Sequence, residues 1–411
     1  MGAVRHHGSV QIIDGEQRRA RLARRHRIAP GHRAADVEAA TAAMVCLHAT
    51  DPATLYLSAW ARLDAMTVAD LDRALYTDRT LVKHLAMRRT LFVFPRASLA
   101  AVQAGASERV EKSERERLIR QVAQAGLVPD ATRWFADASA AVLAVLAERD
   151  ATAAALRAEI PLLEGAIMYG EGKSWGGPVA IGPRVLTSLS AAGRIVRGAN
   201  RGAWTTSAPT WTTPERWLGH AIEQLPGPLA TAQLVEHWLR VFGPGTVEDV
   251  KWWLGSTLTA VRRALADVGA VEVEIEGRTG YVLPDDLDPV DPVEPWVALL
   301  PSLDPTIMGW YERDWYLGPH RRQLFDTFGN AGPTAWCDGR AVGAWRQSPS
   351  GEVLLDLLDD VGAEAEAALE AEAARLTGWL DGVRLAPRFP SPLSRTTGPP
   401  MRPGRAQRDA R

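Results

Sequence analysis

The sequence predicts an α+β protein made of three tandem winged helix-turn-helix units followed by a C-terminal β-barrel-like domain. Three observations carry that expectation. Helical stretches ending in a strand–turn–strand hairpin recur three times before residue 290. From Trp296 the composition turns to short β-rich runs with tight turns. The balance of 46% hydrophobic and 23% charged residues in 411 is that of a globular chain with several domains. The expected divisions are 15–97 (first winged helix, with a candidate site segment), 98–130 (charged helical connector), 131–213 and 214–290 (second and third winged helices), 291–395 (β-barrel-like domain) and 396–411 (disordered basic tail).

Residues 1–15 read as loosely ordered. A helix over Glu16–Arg27 then carries Arg18, Arg19, Arg21, Arg24, Arg25 and Arg27. Six arginines on so short a helix cannot all face a core, so the face is either solvated or turned toward phosphates. Helical patterns continue over 34–47, 52–63 and 68–76, with Thr67 as a cap. Asp51-Pro52 reads as an N-cap followed by proline at the first helical position. Leu81–Pro95 reads as a short helix, a strand, a basic turn and a β-branched, aromatic return strand, with Arg88 and Arg89 at the tip or solvent edge of this first wing. Arginine there suits phosphate or minor-groove contact. Residues 98–125 mix both charges at helical spacing, which reads as a solvated bridge.

The pattern repeats with helices over 136–146, 152–160 and 184–193. Arg194–Arg197, Gly198–Gly202 and Ala203–Thr206 read as strand, turn and strand, which puts Arg194, Arg197 and Arg201 on or beside a second wing. Inside this unit, Gly172-Lys173-Ser174 invites a phosphate-loop reading, but that spacing requires glycine where Ile167 stands, and Trp175-Gly-Gly-Pro cannot open the required helix. A mobile loop tipped by Lys173 beside a nucleic-acid channel is the better reading, and no nucleotide cofactor is expected. The third unit has helices over 214–225, 232–242, 246–254 and 258–266, then Val271–Ile275 and Tyr281–Leu283 around a Glu276–Gly280 turn. Glu272, Glu274 and Glu276 would repel phosphates, so this wing reads as scaffold. Strands over 296–301, 333–337, 341–346 and 353–358 and a helix over 364–380 complete the fold.

A formal net charge of −2 announces no nucleic-acid partner globally, so any basic surface is local. Cys46 and Cys337 are distant and lack metal-ligand spacing; no disulfide and no metal are expected. No apolar run is long enough for a bilayer and no signal-peptide core is present, so the expectation is a cytoplasmic, nucleoid-associated protein without a membrane partner. The candidate catalytic residues are His48, Thr50 and Asp51, a polar group just before a helix N-terminus, where free amides and partial positive charge favour an anion or an activated water. The plainer alternative is a histidine closing one element and an aspartate capping the next.

With its three repeats, Leu47–Trp60, His84–Phe94, Gly280–Leu283, Leu299–Pro305 and Pro333–Trp345, the chain resembles a bacterial family of winged-helix DNA-binding proteins whose characterised members include AlkZ-like DNA glycosylases. The likeness runs over roughly 15–390. It implies a C-shaped arrangement around double-stranded DNA, with no cofactor. The implied activity is monofunctional hydrolysis of the N-glycosidic bond of alkylated or crosslinked purines, in repair or in self-resistance to a genotoxin. The family's Gln-x-Gln or Gln-x-Asp motif falls on His48-Ala49-Thr50, and this sequence departs from it at both ends. On that reading neutral His48 accepts a proton or hydrogen bond from the attacking water, and Thr50 positions it. Arg88, Arg89, Lys173, Arg194, Arg197 and Arg201 contact DNA. The alternative is a non-catalytic damage sensor or regulator on the same scaffold; a purely structural role is a third.

Overall fold

The computed structural model describes residues 10–170, 172 and 176–403. The chain divides into two compact units. One holds Met1–Val45, Leu57–Ala65 and Ala232–Arg411, and the other holds Cys46–Tyr56 and Met66–Thr231.

Most helices begin where a short polar side chain takes up free amides. Asp14 caps α1 (Gly15–Arg25) and Asp36 caps α2 (Val37–Ala42). After β1 (Leu47–His48), Asp51 accepts the Ala53 amide at the head of α3 (Pro52–Trp60). Thr67 and Asp70 form a full capping box on α4 (Val68–Asp72). The hairpin of β2 (Leu81–Ala86) and β3 (Thr90–Pro95) leads into the long helical stretch of α5 (Leu99–Val102) and α6 (Glu108–Gln124). Next come α7 (Ala131–Glu148), β4 (Ala151–Thr152), α8 (Ala153–Glu159), β5 (Ala166–Tyr169), β6 (Gly177–Ala180), α9 (Gly182–Ala191), β7 (Val196–Asn200) and β8 (Pro209–Thr212). The third run is α10 (Pro214–Leu218), α11 (Gly227–Phe242), α12 (Val247–Leu254), α13 (Leu258–Asp267), β9 (Val271–Ile275) and β10 (Arg278–Val282). Last are β11 (Val297–Leu300), α14 (Asp314–Leu317), α15 (Arg321–Leu324), β12 (Thr334–Cys337), β13 (Arg340–Gln347), β14 (Val353–Leu357) and α16 (Ala363–Leu380).

The threefold recurrence extends to strand pairing. In the first two repeats a two-residue strand precedes the helices and the last hairpin and pairs with that hairpin's second strand, the β5–β6 hairpin intervening in the second. In the third an isolated bridge takes the strand's place. The sheets run β1-β3-β2 and β4-β8-β7, and in the third repeat Gly245 bridges Tyr281 of β10 beside β9.

Several expectations are corrected. The C-terminal strands form no closed barrel: their sheet is open, in the order β11-β12-β13-β14. Helix α16 packs on β11 and β14 through Leu369, Ala373, Leu376 and Leu380, so a helix buries the apolar face that closure would otherwise have to hide. The arginines of α1 are not all solvated or free for phosphates. Arg18 and Arg21 are 3% and 2% exposed. Arg18 stacks over Trp315 at 4.0 Å and pairs with Glu276; Arg21 donates to the Asp288 carbonyl at 2.8 Å and Arg24 to that of Asp291 at 3.0 Å, while Arg25 pairs with Asp286. This helix is therefore held to the segment after β10, where guanidiniums satisfy turn carbonyls that lack ladder partners. The expected looseness at both ends is also corrected within the described residues. Ile12 bridges Glu274 on the edge of β9. Residues 396–403 include Met401, whose backbone pairs with Asp356 and Leu357, and Arg402, which pairs with Glu366. The short helix expected at the start of Leu81–Pro95 is absent, since all of Leu81–Ala86 is strand. The expected return strand over Ala203–Thr206 is corrected: the hairpin returns through Pro209–Thr212, because 203–206 form a turn closed from Thr206 to Ala203.

Two fully buried histidines make the fold acid-sensitive. His26 lies against Phe242 and Trp310 with Nδ1 3.0 Å from Thr306 Oγ1, and burial, then Arg62, lowers its pKa to about 3. His84 lies 3.0 Å from Gln103, and burial lowers its pKa to about 4. Both are neutral in the folded chain. Between those values and the ordinary 6.5, only the unfolded chain takes up the protons. Stability from each is complete above 6.5 and falls as pH drops toward the folded value. At about pH 5 each is expected to cost roughly 2 kcal/mol. Urea unfolding at neutral and acid pH measures this. His26→Asn, which keeps a polar atom near Thr306, should flatten the dependence; an unchanged slope would exclude His26.

Candidate active site

The segment from His48 to Asp51 is held from both sides. Strand β1 pairs with β3 so that His48 stands opposite Phe92, and the two rings meet edge to face at 5.2 Å. Ala49 continues the pairing by donating its amide to the Leu91 carbonyl at 2.9 Å. Thr50 Oγ1 accepts the Leu91 amide at 3.4 Å. The buried Asp51 then begins α3. The sequence brings all three proposed residues together because a strand end, a cap and a proline (His48, Asp51 and Pro52) fall within one short stretch.

His48 is 8% exposed. Its Nδ1 accepts the Thr50 backbone amide at 3.3 Å. A neutral imidazole has one lone pair, so this contact leaves the proton on Nε2. In that tautomer Nε2 carries the N–H. The expected acceptance from a water would use the other ring nitrogen, since Nδ1 is engaged by the backbone.

A narrow cleft adjoins the segment. Ala49, Leu55 and Leu91 form its apolar wall, and Lys83, Arg197 and Asn200 its polar side. Strand β2 carries Lys83 inward, and its Nζ donates to Tyr76 Oη at 2.6 Å. Burial, then Arg197, lowers the Lys83 pKa to about 8, against the pull of Asp72. Tyr56 Oη donates to Asp72 Oδ1 at 2.5 Å. Arg197 lies over Trp211 at 4.9 Å and donates to Ser207. Asn200 fixes the loop between β7 and β8, accepting the Ala208 amide and donating to the carbonyls of Gly202, Ala203 and Thr206.

The other proposed residues that are described do not line this cleft. Arg88 and Arg89 are exposed at the β2–β3 turn, with φ of 56° and 60°. Arg89 pairs with Glu114 at 3.1 Å. Arg194 is exposed before β7, in a different cleft with Gln103 and Arg216. Arg201 is exposed just after β7. Lys173 lies outside the described residues; around it, the expected loop is a hairpin of β5 and β6. Lys83 was missed, although the alternation of Leu81, Lys83 and Leu85 on one strand face was available as a signal. Among the described residues no cluster of His, Cys, Asp and Glu could hold a metal, and no helix is long and apolar enough to cross a membrane. Cys46 and Cys337 are both free, and burial pushes the Cys46 thiol pKa up.

The family model described as "DNA glycosylase AlkZ-like" matches residues 41–379, most of the chain. The chain belongs to the AlkZ-like DNA glycosylase family. It is accordingly a DNA glycosylase, a hydrolase of DNA repair. Among solved structures, the Streptomyces sahachiroi DNA glycosylase AlkZ is similar over 92% of this chain and 99% of that one, with a TM-score of 0.70 and 21% sequence identity. At that identity the likeness speaks for the fold. No curated protein matches the sequence.

Proposed function

We propose that this AlkZ-like glycosylase releases alkylated or crosslinked purines from double-stranded DNA and leaves an abasic site, in repair or in self-resistance to a genotoxin. The observation that carries the reading is the His48–Asp51 strip at a helix start, beside a cleft with Lys83 and Arg197 on its wall. In the reaction the bond between C1′ and the purine breaks. Its electron pair neutralises the cationic alkylated base, water adds to C1′, and the water proton passes to solvent. His48 holds the water through its Nε2 proton. Thr50 fixes the ring through its amide, and the Asp51 carboxylate supplies negative charge beside the developing sugar cation. Protonation of His48 would put a second proton against the Thr50 amide and a positive charge beside that cation.

On this reading the three repeats are winged helices arranged in a C shape around the duplex, with the domain divisions set out above, and Arg88, Arg89, Arg194, Arg197 and Arg201 lie along phosphates. The recurring strand order supports the winged-helix assignment. The test is a duplex carrying N7-methylguanine, incubated with the protein and then cleaved chemically at abasic sites. Strand breaks at the lesion are expected; binding without breaks would favour the damage-sensor alternative.

The turn at Arg88 and Arg89 supplies a second check. Two successive left-handed residues make the tight hairpin turn that Asn-Gly adopts most easily. Arginine there costs roughly 1 kcal/mol per position, strain of the kind kept at functional sites. Arg88→Asn with Arg89→Gly is therefore expected to raise the melting temperature while weakening duplex binding. A more stable variant with undiminished affinity would remove this turn from the interface.

A further inference from the structure

A second cleft in the Cys46–Tyr56 and Met66–Thr231 unit carries chemistry that the candidate site does not use. It has a volume of about 370 Å³. Leu85, Tyr169 and Val179 wall it, and Arg89, Arg117, Arg184 and Glu114 supply its charge. Glu114 is nearly buried, with Oε2 3.1 Å from Arg89 and Oε1 3.2 Å from Arg117. Arg184 donates to Gln121. Its pKa is lowered by burial first; Glu114 opposes this, and Arg117 and Arg89 push it down further. Two of the three guanidiniums thus pair with the one carboxylate and the third with an amide, which leaves two positive charges in excess in the lining. Elsewhere in the chain the buried pair Arg62–Asp304 is balanced one to one. The Arg89 and Arg117 side chains are 55% and 40% exposed, so a ligand can reach them.

Excess guanidinium charge in a concave site is satisfied best by a phosphate, whose several oxygens accept from planar forks. The apolar walls add a preference. Tyr169 and Val179 stand exposed on the β5–β6 hairpin and suit the sugar next to a phosphodiester better than bare inorganic phosphate.

We propose that Arg89, Arg117 and Arg184 clamp a backbone phosphodiester of duplex DNA, with Tyr169 and Val179 against the adjoining deoxyribose. The inference rests on the reading of the chain as an enzyme of double-stranded DNA. It adds Arg117 and Arg184, which lie on stretches that read as a solvated bridge and as an ordinary helix.

The test is binding of an undamaged, fluorescently labelled duplex across a salt series. Arg117→Gln with Arg184→Gln is expected to weaken binding about tenfold. It should also flatten the slope of log affinity against log salt by about 1. The double lysine variant keeps the charge, so its slope should stay while part of the affinity goes. Glu114→Gln, which removes the competing carboxylate, should tighten binding. Melting curves identify folded variants. A folded glutamine variant with unchanged affinity and slope overturns the clamp. Saturable binding of inorganic phosphate that is lost in that variant while its duplex affinity persists also overturns it, since the site would then serve a free anion. A protein that shows these effects on undamaged duplex but releases no base supports the clamp and defeats the specific lesion reading instead.

Discussion

His48→Ala is expected to lower base release from an N7-methylguanine duplex by about 10²- to 10³-fold, while His48→Gln keeps most of the activity. The difference follows from one contact. The ring accepts the Thr50 amide at Nδ1 and presents a proton at Nε2. A glutamine amide carries an acceptor and a donor of its own, so it can answer the same backbone amide and still hold the water. Alanine does neither, and it takes the side-chain acceptor away from the half-buried Thr50 amide. Single-turnover rates at saturating protein separate this from a loss of affinity. Full activity in His48→Ala, or equal loss in both variants, would remove the imidazole from the mechanism. Retention in His48→Gln would also explain how the chain departs from the Gln-x-Gln or Gln-x-Asp pattern it resembles: histidine supplies the same pair of functions from one ring.

The largest stability effect is expected at Asp304. Its carboxylate and the Arg62 guanidinium are both fully buried and meet in a two-pronged pair, with Nη1–Oδ2 and Nη2–Oδ1 both at 2.8 Å. Ser58 Oγ and the Thr306 amide donate to the same carboxylate at 2.7 and 2.8 Å. Burial alone would raise the Asp304 pKa, but Arg62 and these donors hold it below the usual carboxylate value. Asp304→Ala strands a guanidinium with no water to solvate it and is expected to cost about 3–5 kcal/mol. Replacing both partners, Arg62→Met with Asp304→Leu, should recover much of that loss, because the cost comes from the unpaired charge rather than from the missing pair. Urea unfolding of the three variants decides it. An alanine variant within about 1 kcal/mol of the parent would mean that water reaches the pair in solution. Leu299–Pro305 is one of the segments that carry the family resemblance, and this geometry makes its aspartate an anchor for Ser58 and Arg62.

By itself the sequence determined what depends on neighbours along the chain. Thr67 and Thr246 open their helices through capping boxes, Pro52 starts α3 behind Asp51, and Asp338-Gly339 turns β12 into β13, because caps and turns involve only residues a few positions apart. The threefold recurrence and the grouping of His48, Thr50 and Asp51 were legible for the same reason. Tertiary structure alone decided which charges face water. Arg18 and Arg21 looked like surface residues because their partners, Glu276 and the carbonyls of Asp286 and Asp288, lie more than 250 positions away. The same holds for Lys83 beside Arg197, for Arg184 beside Glu114, and for the open sheet under α16 where a barrel was expected. Electrostatic and packing partners are set by distance in space, and local periodicity does not encode them.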